Sequence, residues 1–441
     1  MTTRVRGDTR GAVLTQAVSA QTVAGERLQR AGTGVAGVST TSDATPRAHD
    51  ERLHLVDATM FWSPTGGGVR RYLRTKQAWL GAQSGWRHTI AVPLGAAHPA
   101  DGEGLQIVDL PAIPLPGSGG YRLPLRRAAV ASRLESLHPD LIEAGDPYVV
   151  AWATVDAARR CGVPALAYCH SNIEQMARMA AGTRAASAAA RAARAYARRV
   201  YRRFDRVLAP SETMRRHLLD WGVEHAVTQP LGVDTAVFHP QRADPLWRER
   251  LGLAPQSRVL VFAGRFAPEK HLDVLAAAVD RLGPPYVLLA IGAGPRPPRG
   301  ERVRVLPFVA GVGSLATALA SADAFVHAGD QETFGLSVLE AMACGLPVVA
   351  RRAEGLAELV DTDVGMPVDG ATPAAYAEAI TALFAADLEP RQRAARCRAQ
   401  AHDWNTVLPR LLAQYRSLLQ AETPVASEHA APDPATGRGA A

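Results

Sequence analysis

Short apolar runs of strand length alternate with amphipathic helical stretches along most of this chain, and no feature of the sequence restricts its fold more. Strand patterns fall at residues 53–58, 89–93, 141–143, 165–169 and 206–209 in the first half. In the second half they fall at 258–263, 286–291, 303–306, 324–327 and 347–350. Helical patterns lie between them, notably 69–80, a long one ending near Phe204, 270–282 and 335–344. Buried strands joined by helices must run parallel, because a parallel pair needs a long crossover, and helices then cover both sheet faces. Two such series predict an α/β protein of two doubly wound domains. With 441 residues, 47% of them hydrophobic, the chain can furnish both cores.

The expected boundaries follow from composition. Residues 1–50 and 422–441 are poor in large apolar groups and read as disordered tails. Residues 51–230 form the first domain and 241–400 the second, joined across 229–240, where two prolines and a glycine interrupt any helical pattern. A last helix at about 404–420 is expected to return to the first domain. In sheets of this kind ligands bind at the carboxyl ends of the strands, here in a cleft between the domains.

Several classes are set aside by what is absent. No run of about 18 apolar residues offers a membrane span, and no secretory leader is evident, so a cytoplasmic location is expected, with the inner face of the membrane as a peripheral site. The four cysteines, Cys161, Cys169, Cys344 and Cys397, match neither a disulfide framework nor a zinc site and read as small core residues. The net charge of +7 invites acidic partners, but the arginines are spread along the chain rather than gathered with aromatics on a nucleic-acid module. Gly292-Ala-Gly294 leads into prolines instead of a helix and reads as a turn, which counts against a dinucleotide-dependent oxidoreductase. Asp361-Thr-Asp363 reads as a turn with solvated acids. Lys76 and Lys270 are the only lysines, which marks each for attention.

The sharpest local signal is Gly329-Asp-Gln-Glu-Thr-Phe-Gly-Leu-Ser-Val-Leu-Glu-Ala-Met-Ala-Cys-Gly-Leu-Pro-Val-Val349, which reads strand, loop, helix, turn, strand. Gly335 opens the helix, whose unpaired first-turn amides and dipole make an anion site. Glu332 precedes that opening and Glu340 lies inside the helix. Two carboxylates flanking a phosphate could accept from a sugar and from a ribose; taken alone, they read more readily as a helix cap and an exposed helix residue. The second signal is Phe262-Ala-Gly-Arg-Phe-Ala-Pro-Glu-Lys270, a buried strand ending in a loop. Arg265 and Lys270 at that strand end could neutralise a diphosphate, or form a surface charge and an ion pair.

These segments, with Gly66-Gly-Gly-Val-Arg-Arg71 and Leu231-Gly-Val-Asp-Thr-Ala-Val-Phe-His-Pro240, resemble the retaining GT-B glycosyltransferases of glycosyl transferases group 1, which include glycogen synthase and phosphatidylinositol mannosyltransferases. The resemblance runs from about residue 53 to 419. It implies two Rossmann-like domains facing a central cleft, with the donor held by the C-terminal one. It implies that Arg265 and Lys270 grip the donor diphosphate. Glu332 binds donor-sugar hydroxyls with the backbone around Phe334, Gly335 and Leu336, and Glu340 holds the ribose. Gly67 and Gly68 let the first domain approach the diphosphate, and His170 stands beside the reacting sugar. Three positions depart from the family pattern: Asn172 where Asp is frequent, His271 where Gly is common, and Glu354 in a frequent double glycine.

The implied activity is transfer of a glucose- or mannose-type hexose, with retention and without a metal, from a nucleotide diphosphate sugar to a glycolipid or growing polysaccharide. The nucleotide sugar is a co-substrate and no cofactor is expected. The alternative is a sugar-nucleotide epimerase or other nucleotide-sugar enzyme of the same fold. The arginines 191, 194, 198 and 202 line one helical face opposite Tyr196, Val200 and Phe204, a pattern shared by helices resting weakly on anionic lipid and by ordinary core-facing helices. No nucleic-acid partner is expected.

Overall fold

The computed structural model describes residues 52–63, 67–94, 106–115, 120–307 and 311–421. The expected tails at 1–50 and 422–441, and Gly66 of the glycine-rich motif, lie outside these. In chain order the strands are β1 Leu53–Ala58, β2 Trp86–Val92, β3 Ile107–Asp109, β4 Ile113–Pro114, β5 Arg122–Leu123, β6 Leu141–Ala144, β7 Ala165–Tyr168, β8 Arg206–Ala209 and β9 Ala226–Thr228. There follow β10 Arg258–Ala263, β11 Tyr286–Ile291, β12 Val303–Leu306, β13 Ala324–His327, β14 Val348–Arg351 and β15 Gly365–Val368. The helices are α1 Gly68–Gly81, α2 Arg127–Glu135, α3 Val149–Cys161, α4 Ile173–Tyr201, α5 Glu212–Asp220, α6 Trp247–Arg250 and α7 Leu272–Leu282. They continue with α8 Val312–Ala320, α9 Leu336–Ala343, α10 Leu356–Leu359, α11 Pro373–Ala385, α12 Glu389–Gln400 and α13 Trp404–Ala421.

The strands assemble into two parallel sheets, ordered β3-β2-β1-β6-β7-β8-β9 and β12-β11-β10-β13-β14-β15, with β4 and β5 in a short antiparallel pair. Side chains alternate across each sheet. Val259, Val261 and Ala263 of β10 join a core shared with α9 and α13, whereas Leu260 and Phe262 face α7 and α11. That two-residue period, buried on both sides, is why the strands read as nearly unbroken apolar runs. Strand order reverses between β1 and β6 in the first sheet and between β10 and β13 in the second, and crevices form beyond the strand ends at such points.

The final helix packs against the first sheet's side of the molecule. Arg206 Nη1 donates to Gln414 O and Oε1 at 3.1 and 2.7 Å, and Tyr415 enters a buried polar cluster with Lys76 and Glu143. The stretch 229–240 leads out of β9. Val233 N donates to His402 O at 2.9 Å, and a Cβ at Gly232 would lie 2.5 Å from the Trp404 ring, so glycine lets the chain pass beneath that indole.

Two local expectations are corrected. The helix anticipated from Lys270 is divided: Pro268–Lys270 forms a single tight turn, His271 takes a left-handed conformation (φ 48°, ψ 45°), and α7 begins at Leu272. Cys169 and Cys344 are buried, but Cys161 is half-buried and Cys397 is exposed, because α12 buries little more than its alanines. At the end of α4 and just beyond it, Val200 and Phe204 face the core while Arg191, Arg198 and Arg202 are exposed. No helix among the described residues is long and apolar enough to cross a membrane.

Candidate active site at the β10 and β13 strand ends

The second sheet's switch point gathers most of the predicted residues. Strand β13 ends at His327, which is 1% exposed, and the chain then loops through 328–335 into α9. Gly335 holds φ at 103°, a region that favours glycine, and no side chain caps the helix. The first-turn amides of α9 thus keep hydrogen-bonding capacity for an acceptor at the helix mouth. Phe334 is buried and Leu336 half-buried beside it.

Lys270, from the turn after β10, forms an ion pair with Glu332 in this loop. His327 Nε2 lies 3.1 Å from the same Glu332 oxygen, and Gly329 N donates to His327 Nδ1 at 3.2 Å. Because Nδ1 accepts, the proton of the neutral ring resides on Nε2, which donates to Glu332. Burial alone would raise the Glu332 carboxyl, but the Lys270 charge and the His327 hydrogen bond outweigh it and hold the group ionised below its ordinary range. Burial lowers His327 against the pull of Glu332, which keeps the imidazole neutral. The result is a carboxylate fixed in charge and direction, an acceptor suited to hydroxyl groups.

Arg265 sits at the end of β10 with its side chain largely exposed, 3.2 Å from Glu269, the surface ion pair that the sequence left open. The loops beyond β10 and β11 are packed closely: a Cβ at Gly292 would lie 1.9 Å from the Gly264 carbonyl oxygen, so the Gly292-Ala-Gly294 turn serves backbone approach. Glu340 is 4% exposed and forms an ion pair with Arg71 of α1. The Arg71 guanidinium also lies over the Phe238 ring at 5.9 Å, and burial lowers its pKa. Gly67 precedes α1, and a Cβ on Gly68 would lie 3.0 Å from Leu336 Cδ1, so the starts of α1 and α9 adjoin.

His170, just beyond β7, stacks on Tyr168 at 4.3 Å between ring centroids and meets Tyr72 edge-on at 5.5 Å. Its carbonyl accepts from Thr333 Oγ1 at 3.0 Å, which ties it to the loop carrying Glu332. Burial, with the Lys76 charge adding, drives the imidazole down to about 3, so it is neutral; its Nε2 is buried and unpartnered among the described residues. Asn172 caps α4 through Gln175 N at 3.2 Å, and Gln175 Nε2 reaches Asp330 O at 3.0 Å. A cavity of about 340 Å³ opens here, lined by Asn172, Gln175, Arg178, His217, Trp221 and Glu354 among others.

Sequence reasoning missed His327, Arg71 and Asp330 as parts of this site. His327 carried a signal, as a polar residue ending an otherwise apolar strand. Arg71 lay inside the quoted glycine-rich motif, but its partner Glu340 is far along the chain. The Asp361-Thr-Asp363 acids form a turn, with Asp361 accepting from Asp363 N at 3.1 Å and pairing with Arg398 at 2.8 Å.

Two parallel sheets, one presenting a partly buried cation–carboxylate pair beside an uncapped helix at its switch point, have the architecture of the GT-B class of nucleotide-sugar glycosyltransferases. Residues 66–237 match the family model described as Glycosyltransferase Family 4, and residues 257–386 match Glycosyl transferases group 1. A GDP-mannose-dependent alpha-(1-6)-phosphatidylinositol dimannoside mannosyltransferase of Mycobacterium tuberculosis is 33% identical over 82% of this chain and 95% of its own. A GDP-mannose-dependent alpha-mannosyltransferase of Mycolicibacterium smegmatis is 32% identical over 72% of this chain and 84% of its own. Among solved structures, sucrose-phosphate synthase from Thermosynechococcus elongatus superposes with a TM-score of 0.71 at 20% identity, over 84% of this chain and all of the other. The chain belongs to the group 1 glycosyltransferase family.

Proposed function

We propose that the protein transfers a mannosyl group from GDP-mannose to a hydroxyl of a glycolipid or growing polysaccharide, with retention of anomeric configuration. The observation that carries this reading is the Lys270–Glu332 pair, set by His327 beside the mouth of α9. Lys270, Arg265 and the α9 amides bind the diphosphate, Glu332 takes hydroxyls of the hexose, and Glu340 takes the ribose. The mannose type rests on the relatives' donor. The cavity beside Asn172 and Gln175 supports an acceptor approaching from the His170 side.

In the proposed step the bond from the anomeric carbon to the diphosphate oxygen breaks as a bond to the acceptor oxygen forms on the same face. The acceptor proton passes to the departing diphosphate, whose negative charge Lys270 and Arg265 stabilise without a metal. His170, neutral and rigidly stacked, offers an unpartnered nitrogen to the reacting sugar.

The decisive experiment incubates the protein with GDP-mannose, UDP-glucose and related donors, with and without glycolipid acceptors, and reads nucleotide release and product anomers. Mannosyl transfer from GDP-mannose with an α product supports the reading; an inverted product or a changed sugar nucleotide without acceptor refutes it. Lys270→Ala and Glu332→Ala each lower turnover by at least ~10²-fold, the scale of one lost transition-state contact. Contact with anionic lipid is a separate element of the proposal, supported by the exposed Arg191 and Arg198 of α4 and Arg202 just after it. Flotation with anionic vesicles at low salt tests it, and protein remaining at the bottom refutes it.

A further inference from the structure

We propose that Asp330 is a second carboxylate for the donor's hexose, accepting one sugar hydroxyl on Oδ1 while Glu332 accepts another. This rests on the nucleotide-sugar reading above.

Two consecutive residues, Lys270 and His271, reach two carboxylates of the loop between β13 and α9. Lys270 pairs with Glu332, and His271 Nε2 lies 3.3 Å from Asp330 Oδ2. Arg351, ending β14, places Nη1 3.4 Å from that same oxygen. The Asp330 backbone is fastened too, its carbonyl accepting from Gln175 Nε2 at 3.0 Å. Asp330 is thereby held by its carbonyl and by one carboxylate oxygen. The other oxygen, Oδ1, is buried and has no hydrogen-bond partner among the described residues.

A buried carboxylate oxygen without a donor is costly, and such an atom in a native protein calls for a ligand or an equivalent partner. An ionised carboxylate only accepts, so its partner must bring a proton. Of the donor's parts, the diphosphate is an anion and would be repelled, the ribose is assigned to Glu340, and the hexose, which carries several hydroxyls, is the part assigned to Glu332, two residues from Asp330 in the same loop. His271 supplies an independent argument. Its backbone lies in the left-handed region, where glycine is at ease and a side chain is strained. What histidine adds over glycine at this position is its reach to Asp330.

The test is calorimetric titration of the full chain with GDP and with GDP-mannose. For the wild type, the sugar adds affinity over GDP alone. Asp330→Ala is expected to weaken GDP-mannose at least tenfold while leaving GDP within twofold. His271→Gly, which removes the contact and relieves the backbone, is expected to raise Tm and to show the same selective loss, about threefold or more. GDP-mannose deoxygenated at the contacted position should bind the wild type as weakly as GDP-mannose itself binds Asp330→Ala. Equal losses for GDP and GDP-mannose, or no loss of GDP-mannose affinity in both folded variants, would overturn the assignment of Asp330 while leaving the nucleotide-sugar site intact. Failure of the wild type to bind either ligand would overturn that site reading, and the role of Asp330 with it.

Discussion

The ammonium of Lys76 lies 3.0 Å from the hydroxyl of Tyr415, which joins α1 to α13. Both are 1% exposed. Lys76 also donates to Asp57 at 2.8 Å, to Glu143 at 3.0 Å and to Tyr72 at 3.0 Å, and His88 meets Asp57 at 2.5 Å. The lysine's charge, with His88, holds Asp57 below its usual range against burial, whereas burial wins at Glu143 and raises it. One of the chain's two lysines therefore serves the packing of α13, and the other serves the candidate site.

Removing that cation leaves acids buried without a counter-charge. Lys76→Met is expected to cost roughly 3–5 kcal/mol of stability, because uncompensated buried charge is more damaging than loss of the pair itself. Tyr415→Phe deletes one hydroxyl and should cost about 1–2 kcal/mol. Urea unfolding measures both, and a Lys76→Met midpoint equal to wild type would refute the account.

His327 orients Glu332 without touching substrate in the proposed step. His327→Leu is expected to lower kcat/KM about tenfold and to raise the pKa of Glu332, moving the acidic limb of the pH–rate profile upward. His327→Gln can restore the donor and should recover part of the loss. An unchanged acidic limb in His327→Leu would show that the histidine only fills space.

Arg71 of α1 pairs with Glu340 of α9, the carboxylate assigned to the ribose. Arg71→Ala leaves Glu340 buried without its cation and should lower stability by roughly 1–3 kcal/mol, since Arg71 is partly exposed. Saturating GDP should shrink that loss, because ribose hydroxyls donate to the same carboxylate. Thermal shifts with and without nucleotide read this directly. A loss unaffected by GDP would remove Glu340 from the ribose site.

Most strands legible in the sequence were those buried on both faces; Val303–Leu306, read from its apolar residues, is an edge strand that is half-buried to exposed. Arg258–Ala263 and Tyr286–Ile291 are unbroken apolar runs with clear ends. The unrecognised ones lie toward sheet edges: β3 and β9 have three residues each, and β15 reads Gly-Met-Pro-Val, where glycine and proline are tolerated because an edge strand need not pair on both sides. At the site, the types of Lys270 and Glu332 and their placement at strand ends could be read directly. Their partners could not, because the His327 tautomer depends on a backbone amide and the Arg71–Glu340 pair on how two helix starts come together. The left-handed turn at His271 was hidden because histidine does not announce positive φ as glycine does.

The neutral His170 couples the site to acid stability. Its folded-state pKa, driven to about 3 by burial and by Lys76, lies below the unfolded value of 6.5. Between those limits the unfolded chain binds a proton that the folded chain refuses, so unfolding becomes easier as pH falls through 6.5, and this contribution levels off near 3. The slope from this residue reaches at most about 1.4 kcal/mol per pH unit. His170→Gln removes the titration and should flatten stability against pH between 6.5 and 4 by up to that amount. It would not abolish the slope, because burial also lowers His54, His88 and His327. Denaturant midpoints across this range decide the matter: parallel profiles for wild type and His170→Gln would mean that His170 is solvated and protonates freely, and its stacking on Tyr168 could not then set a neutral imidazole at the reacting sugar.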